Sequence, residues 1–421
     1  MSEQRATLRP TVAIVGGGPA GLTAATTLRR LGIESVLVLE REQQAGGIPR
    51  NSDHTGYGVR DLRTVLTGPA YAERLVRQAR DWRVDIRTAS TVTDWADDRS
   101  LMVTSPEGRL RVDAQAVVLA TGARERPRSA RMVPGDRPSG VLTTGQLQNL
   151  VHGRHERSGG QVGVRAVVVG AELVSWSAVL TLREAGCATA MMTTEHQRAE
   201  SYAAFTIPGR SLLRVPVSRR TRVTRIVGRE RVEAVEVTRL DTGQSMTVPC
   251  DTVVFTGDWI PDGELARLRG LDMDRGSRAP LVDTALRTSL DGVFAAGNLL
   301  HPVDTADVAA LDGRHVAAQV LAYLAAPSWP VEGTRLVAGE GFAWIAPGVV
   351  RLGDPPPARS RLLLWPTAHR SVARVVVRQD DAVLARRVLP WAASPGRVFR
   401  VPWGLLDKVD PSGGDVTVSL A

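Results

Sequence analysis

The stretch VAIVGGGPAGLTAA, Val12 to Ala25, decides how the rest of the chain is read. An apolar run from Thr11 to Val15 leads into Gly16, Gly18 and Gly21, the spacing GxGxxG. Apolar residues then recur at helical intervals from Ala20 to Leu31, where Gly32 stops the helix. Ser35 to Glu40 is apolar again and ends in an acid, about 20 residues beyond the motif. Strand, glycine turn, helix and strand in this order open a doubly wound parallel sheet that takes a dinucleotide at its first turn. Gly16 permits the tight turn, Gly18 leaves room for the pyrophosphate, and Gly21 lets the helix close on the strand. The helix start at Pro19 and Ala20 adds partial positive charge for the phosphates. Glu40 is placed to accept hydrogen bonds from ribose hydroxyls, a role that disfavours a 2′-phosphate.

Further along, the pattern repeats with damage. Arg165 to Val169 reads as strand, Val174 to Glu184 as helix, Gly186 as stop and Ala188 to Met192 as strand. The turn between them is Gly170, Ala171, Glu172, Leu173, Val174, Ser175, so two of the three glycines are gone and a carboxylate stands where a pyrophosphate touches the backbone. Gly170, Ser175 and Glu195, the acid after the next strand, are the remaining candidates for a second nucleotide. Three readings stay open: NAD(P)H in an altered pose, another adenine nucleotide, or a structural remnant. Apolar strands ending in small residues at Val117–Gly122, Thr252–Gly257 and Gly292–Gly297 also bring backbone close to a ligand.

The fold class expected is therefore α/β, two Rossmann-like folds followed by a small C-terminal antiparallel β domain. The boundaries are 1–122 and 258–330 for the first dinucleotide domain, 123–257 for the second and 331–421 for the β domain. Beyond Pro327 proline becomes dense, five of the nine tryptophans occur, and short apolar or alternating runs appear at Leu362–Trp365, Ala373–Val377, Ala382–Leu389 and Val416–Leu420. Gln379, Asp380 and Asp381 read as a hairpin turn.

Composition excludes several functions. Cys187 and Cys250, the only cysteines, are too far apart in sequence for a CxxC redox or zinc motif. The net charge of +9 comes almost wholly from arginines spread along the chain, with Lys408 the sole lysine, so no basic cluster points to nucleic acid. No run of about 20 apolar residues predicts a membrane span, Met1–Pro10 lacks a secretory pattern, and a cytoplasmic protein is expected. The histidines, among them His152, His155, His196, His315 and His369, are too scattered for a metal site.

These landmarks, with AVVLATGARERP, AVVVGAE, DTVVFTGDWIP and GVFAAGN, resemble the two-dinucleotide-domain flavoproteins of the pyridine nucleotide-disulfide oxidoreductase-like family, over roughly residues 10 to 326. The resemblance implies FAD in the first fold, held by Gly16, Gly18, Pro19, Ala20, Gly21, Glu40 and Arg41, and lined by Gly46, Gly47, Thr121, Gly122, Gly297 and Asn298. The family more often has Asp where Asn298 stands. A helix from about Val303 to Leu324 is implied to point its N-terminus at the flavin ring, where its dipole stabilises the anionic reduced form. GGIPRNSDHTGYGVRDL and LTGPAYAERL narrow the resemblance to cysteine-free members found as subunits of amine, imino-acid, opine or glycerol-phosphate dehydrogenases.

A flavin performs hydride chemistry itself, so few catalytic side chains are required. His54, on the loop after Gly47, is the acid/base candidate because imidazole titrates near neutrality, with a hydrogen-bonded loop histidine as the bland alternative. His301, Asp304 and Asp307 stand near the implied helix start, where the acids serve as ordinary N-terminal charge partners. Arg124, Arg126 and Arg128 suit either an anion or a solvated linker. The expected activity is an FAD-dependent oxidoreductase, a dehydrogenase or dehydrogenase subunit, moving a hydride or electron pair between a small substrate and an acceptor, with a redox-partner subunit in view. Two alternatives accompany it: an NAD(P)H-dependent reductase of a quinone or redox protein, and an FAD-binding scaffold without catalysis.

Overall fold

A computed structural model describes residues 6–153, 162–302, 304–330, 332–380 and 382–421; His155, Val303 and Asp381 lie outside them. Two five-stranded parallel sheets form its centre. In the first, the strands run in the order Val293–Ala295, Ala116–Leu119, Val12–Val15, Val36–Leu39, Asp85–Arg87. Every residue of the three inner strands is buried, which is why they read as unbroken apolar runs: helices cover both faces of such a sheet. The Pro19–Arg30 helix follows the first glycine turn, and the Ala306–Ala325 helix packs along it. That contact is so close that a Cβ on Gly313 would fall on the Ala20 carbonyl.

The second sheet runs Val141–Thr143, Thr252–Phe255, Arg165–Val169, Ala188–Thr193, Val217–Ser218. Its helix, Leu173–Glu184, begins one residue before the expected start. The two folds are joined by a ribbon in which Ala123–Glu125 pairs antiparallel with Trp259–Pro261.

The C-terminal residues build two further sheets. One is ordered Val349–Val350, Thr334–Ala338, Val416–Leu420, Ala373–Gln379, Ala382–Leu389, and the other Phe342–Ala346, Arg361–Pro366, Phe399–Pro402. Their strand pairings are antiparallel except for Leu336–Ala338 beside Val416–Val418. They enclose a core of their own around Leu362, Leu364, Val375, Val377, Val401 and Val418. Asp380 takes a left-handed φ of 50° at the expected turn. Among the described residues no helix is long and apolar enough to cross a membrane.

Candidate cofactor site and a second crevice

The first glycine turn has the shape its spacing predicts. Gly16 has φ 110°, and a Cβ there would meet the Ala120 carbonyl, so the turn admits no side chain. A Cβ on Gly21 would fall on the Gly16 carbonyl, which is the close packing of helix on strand. Gly18 differs: the nearest atom to a Cβ there is the Gly47 Cα at 4.0 Å, so its α-carbon faces open space. Gly18 is the N-cap of the Pro19–Arg30 helix, yet no side chain caps it and its first turn carries no acid. The N–H groups of that turn are left for an anion. Glu40, almost fully buried, accepts from the Gly17 N–H through Oε2 and from the Glu42 N–H through Oε1, both at 2.8 Å. Its carboxylate is thereby fixed beside the turn.

The other expected residues gather here. Gly46 donates its N–H to the Gly17 carbonyl at 2.8 Å, and a Cβ on Gly47 would lie 3.0 Å from Gly18 Cα. Thr121 donates its hydroxyl to the Asp262 carbonyl at 2.7 Å, Gly122 has nothing near its α-carbon, and Gly297 abuts Ala20. Arg41 reaches the same corner through an ion pair with Asp262 at 3.2 Å. Asn298 donates from Nδ2 to the Asp304 carbonyl at 2.9 Å, while its Oδ1 is buried without a protein partner. A buried acceptor without a donor, an uncapped helix and an open glycine fit the diphosphate and polyol of a flavin dinucleotide.

The neighbouring helix carries an acid of its own at its start. It begins at Ala306 with Thr305 as N-cap, and Asp307 stands buried in its first turn. Asp307 accepts the Arg60 N–H at 3.0 Å and pairs with the Arg60 guanidinium and the Thr305 hydroxyl. The positive end of the dipole is therefore shared with a carboxylate of the chain, itself paired with Arg60, the N-terminal charge partner expected of Asp307. Asp304 pairs with Arg400 of the C-terminal sheets at 2.7 Å. His301 and Arg359 both bond Asp312 inside the same helix region; burial alone would raise that carboxyl, but the two partners hold it below the usual range.

His54 is held on both sides. Nδ1 faces the Thr55 carbonyl at 2.9 Å, so it carries a proton, and Nε2 lies 2.9 Å from the Ser52 hydroxyl and 2.8 Å from that of Ser177, its one lone pair accepting from one of them at a time. Ser177 also accepts from Gln148 at 2.9 Å, so the network crosses from the first fold to the helices of the second. Nearby, the buried Tyr71 hydroxyl donates to Asp61 at 2.7 Å, and burial raises the Asp61 carboxyl. The sequence offers no sign of this pair: the two residues are joined only by the fold. Arg124, Arg126 and Arg128 are committed, the first to Asp262 and Glu264, the second to Asp258, the third to three backbone carbonyls.

The second turn is a conformational twin of the first with different side chains. Gly170 has φ 135°, and Glu172 has φ −86° and ψ −176° where Gly18 has −82° and −173°. Ser175 replaces the third glycine, its hydroxyl accepting the Glu172 N–H at 3.1 Å and bonding Thr256 at 2.6 Å. Gly170 and Ser175 are thus brought together, whereas Glu195 stands apart, exposed in an ion pair with Arg222 at 2.6 Å. The Glu172 side chain lies over Gly257, at a spot a Cβ would fill. Burial first, then Glu200, pushes its carboxyl up to about 8.

Two dinucleotide folds in one chain, with an intact phosphate turn in the first, define the class of two-fold flavoproteins. Residues 10–313 match the family model described as pyridine nucleotide-disulphide oxidoreductase. The chain belongs to that family and is an FAD-dependent oxidoreductase. It is 30% identical over 301 residues to the benzene 1,2-dioxygenase system ferredoxin–NAD(+) reductase subunit of Pseudomonas putida, a match covering 68% of this chain and 66% of that one. This chain therefore spans just under two thirds of that relative. An opine oxidase subunit of Agrobacterium tumefaciens (strain Ach5) is 27% identical over 360 residues, covering 77% and 67%. The crystal structure of T. acidophilum thioredoxin reductase is alike in fold, with a TM-score of 0.61 at 20% identity over 76% of this chain and 99% of that one.

Proposed function

We propose that the protein is a dehydrogenase, or the flavin subunit of one, that takes a hydride or electron pair from a small organic donor directly at the flavin and hands it to a redox partner. The carrying observation is the state of its thiols. Cys187 and Cys250 are both free and buried, and burial pushes them up to about 12 and 11. Neither is a thiolate at neutral pH, so no dithiol relays electrons. The similarity to the opine oxidase subunit supports an amine or imino-acid donor. When bound, FAD supplies the two-electron chemistry, and the chain supplies binding, orientation and proton handling.

In this reading Gly16, Gly18, Pro19, Ala20, Gly21, Glu40 and Arg41 would hold the adenosine and diphosphate half, with Gly46, Gly47, Thr121, Gly122, Gly297 and Asn298 lining the rest. The FAD domain is assembled from 1–122 and 258–330, as the pairing of Ala116–Leu119 with Val293–Ala295 across the second fold suggests. The free cysteines accord with the cytoplasm. His54 is the proposed proton acceptor through Nε2, with Ser52 and Ser177 as the hydroxyls that pass the proton.

The test is anaerobic mixing of FAD-loaded protein with amines, imino acids, glycerol phosphate, NADH and NADPH, followed by flavin absorbance. Bleaching by one of the organic donors is expected, and the Cys187→Ser, Cys250→Ser double variant should bleach at the same rate. A double variant that binds FAD but is no longer reduced would refute the thiol-free route. With the competent donor, His54→Gln should slow bleaching about 10²-fold at unchanged FAD content; an unchanged rate would leave His54 a loop anchor. A second reading, an NAD(P)H-driven reductase of a redox protein, is favoured by the similarity to the ferredoxin reductase subunit. Bleaching by NADH or NADPH within seconds would select it.

A further inference from the structure

In open α/β sheets a dinucleotide lies beyond the carboxyl ends of the strands, at the point where strand order reverses. In the second sheet those ends are Val169, Phe255 and Thr193, followed by Gly170, Thr256 and Thr194. Each is already engaged by protein. Glu172 lies against Gly257, just past the end of the Thr252–Phe255 strand that neighbours the central one. Thr194 donates its hydroxyl to Glu200 at 2.6 Å, and the Ser201 N–H donates to the Ala171 carbonyl at 3.0 Å, so the chain after the fourth strand folds back across the phosphate turn. Arg131, whose charge acts on Glu172, is bound to the Thr256 and Gly257 carbonyls at 2.8 and 2.7 Å.

The C-terminal sheets complete the cover. A Cβ on Gly396 would meet Glu200 and lie 3.3 Å from Glu172 Cβ, so this segment reaches the mouth of the turn itself. Arg397 stacks over Tyr202 at 4.4 Å, His369 accepts from Arg198 at 2.9 Å, and Arg400 pairs with Asp304 beside the flavin helix. One short segment, Gly396 to Arg400, thereby touches both dinucleotide folds.

We propose that the second dinucleotide fold is closed to nicotinamide nucleotides in this chain, and that the closure is made by Glu172 in the turn together with the Gly396–Arg400 segment above it. Glu172 occupies the backbone position at which Gly18 leaves a void, and brings a carboxyl to the place a diphosphate needs. The C-terminal sheets are then a fixed stopper that holds the second fold against the first. This assignment holds whichever small organic donor reduces the flavin, and it stands against the NAD(P)H-driven second reading.

Equilibrium binding of NADH and NADPH to the FAD-loaded protein, read by ligand fluorescence and by calorimetry, tests it. The wild-type chain is expected to bind neither at millimolar concentration. Glu172→Gly, alone and with Arg397→Ala, is expected to tighten binding at least 10-fold in the double variant, with flavin absorbance retained to show that the first site is intact. Micromolar binding by the wild-type chain would overturn the closure. Failure of both folded variants to bind any tighter would overturn the assignment of Glu172 and the segment as its cause.

Discussion

Gly18→Glu is expected to give a folded, colourless protein. The substitution copies into the first turn the residue that the second turn already carries at the twin position, where the backbone angles differ by only a few degrees. Nothing lies within 4.0 Å of the added Cβ, and φ at Gly18 suits any L-residue, so the fold is retained. The carboxylate, however, would stand at the helix start where the diphosphate belongs. Two like charges about 4 Å apart near a protein surface repel by roughly 4 kcal/mol, which is about a 10³-fold loss of FAD affinity. Gly16→Ala is a different case, since its Cβ would collide with the Ala120 carbonyl and the fold itself would suffer. Reconstitution with FAD, followed by flavin absorbance and circular dichroism, separates the two. A Gly18→Glu variant that keeps its FAD would place the cofactor elsewhere.

Glu172→Gln is expected to stabilise the protein, increasingly so as pH rises. Glu172 is buried, and its carboxyl is pushed from 4.5 up to about 8 by burial, with Glu200 as the next cause. Folding therefore favours the protonated acid. That preference is harmless below the ordinary glutamate range and becomes a growing penalty as pH climbs to about 8, where it levels off at on the order of 5 kcal/mol. Glutamine keeps the size and cannot titrate, so the urea midpoint of the variant should rise above that of the wild-type chain, the gap small near pH 5 and widest above about pH 8. A gap independent of pH would mean that Glu172 is ionised in the folded protein, held by Arg131. The acids facing it from neighbouring elements, Glu125, Glu200 and Asp258, all act in the same direction, against ionisation.

The readability of the two turns differs for physical reasons. The first was legible to the residue because its requirements are local: a left-handed backbone at Gly16, a void at Gly18, a helix start at Pro19 and an acid directly after Leu39. The damage in the second was equally visible at Glu172. Glu195 was not, because the strand runs on to Thr193 and Thr194 takes the place that Glu40 has in the first fold; one residue further along an extended chain the side chain leaves on the other side. It was found with Arg222 instead. What covers Glu172 could not be read either, since Gly396 approaches it from a separate pair of sheets and a single glycine carries no long-range signal. The same holds for the Tyr71–Asp61 pair and for Asp262, whose carboxylate gathers Arg41 and Arg124. The strands Phe342–Ala346 and Phe399–Pro402 escaped because the first, FAWIA, has no polar residue to mark a period of two, and the second, FRVP, is only 4 residues long and ends in proline.

The most direct measurement is the structure of the purified protein with FAD bound and NADPH present in excess. We expect one FAD with its diphosphate against Gly18, its ribose at Glu40 and a hydroxyl donating to Asn298 Oδ1, with Glu172 still lying over Gly257 and no second nucleotide. A dinucleotide seated at Gly170 with Glu172 displaced, or a first crevice filled by anything other than FAD, would contradict the account.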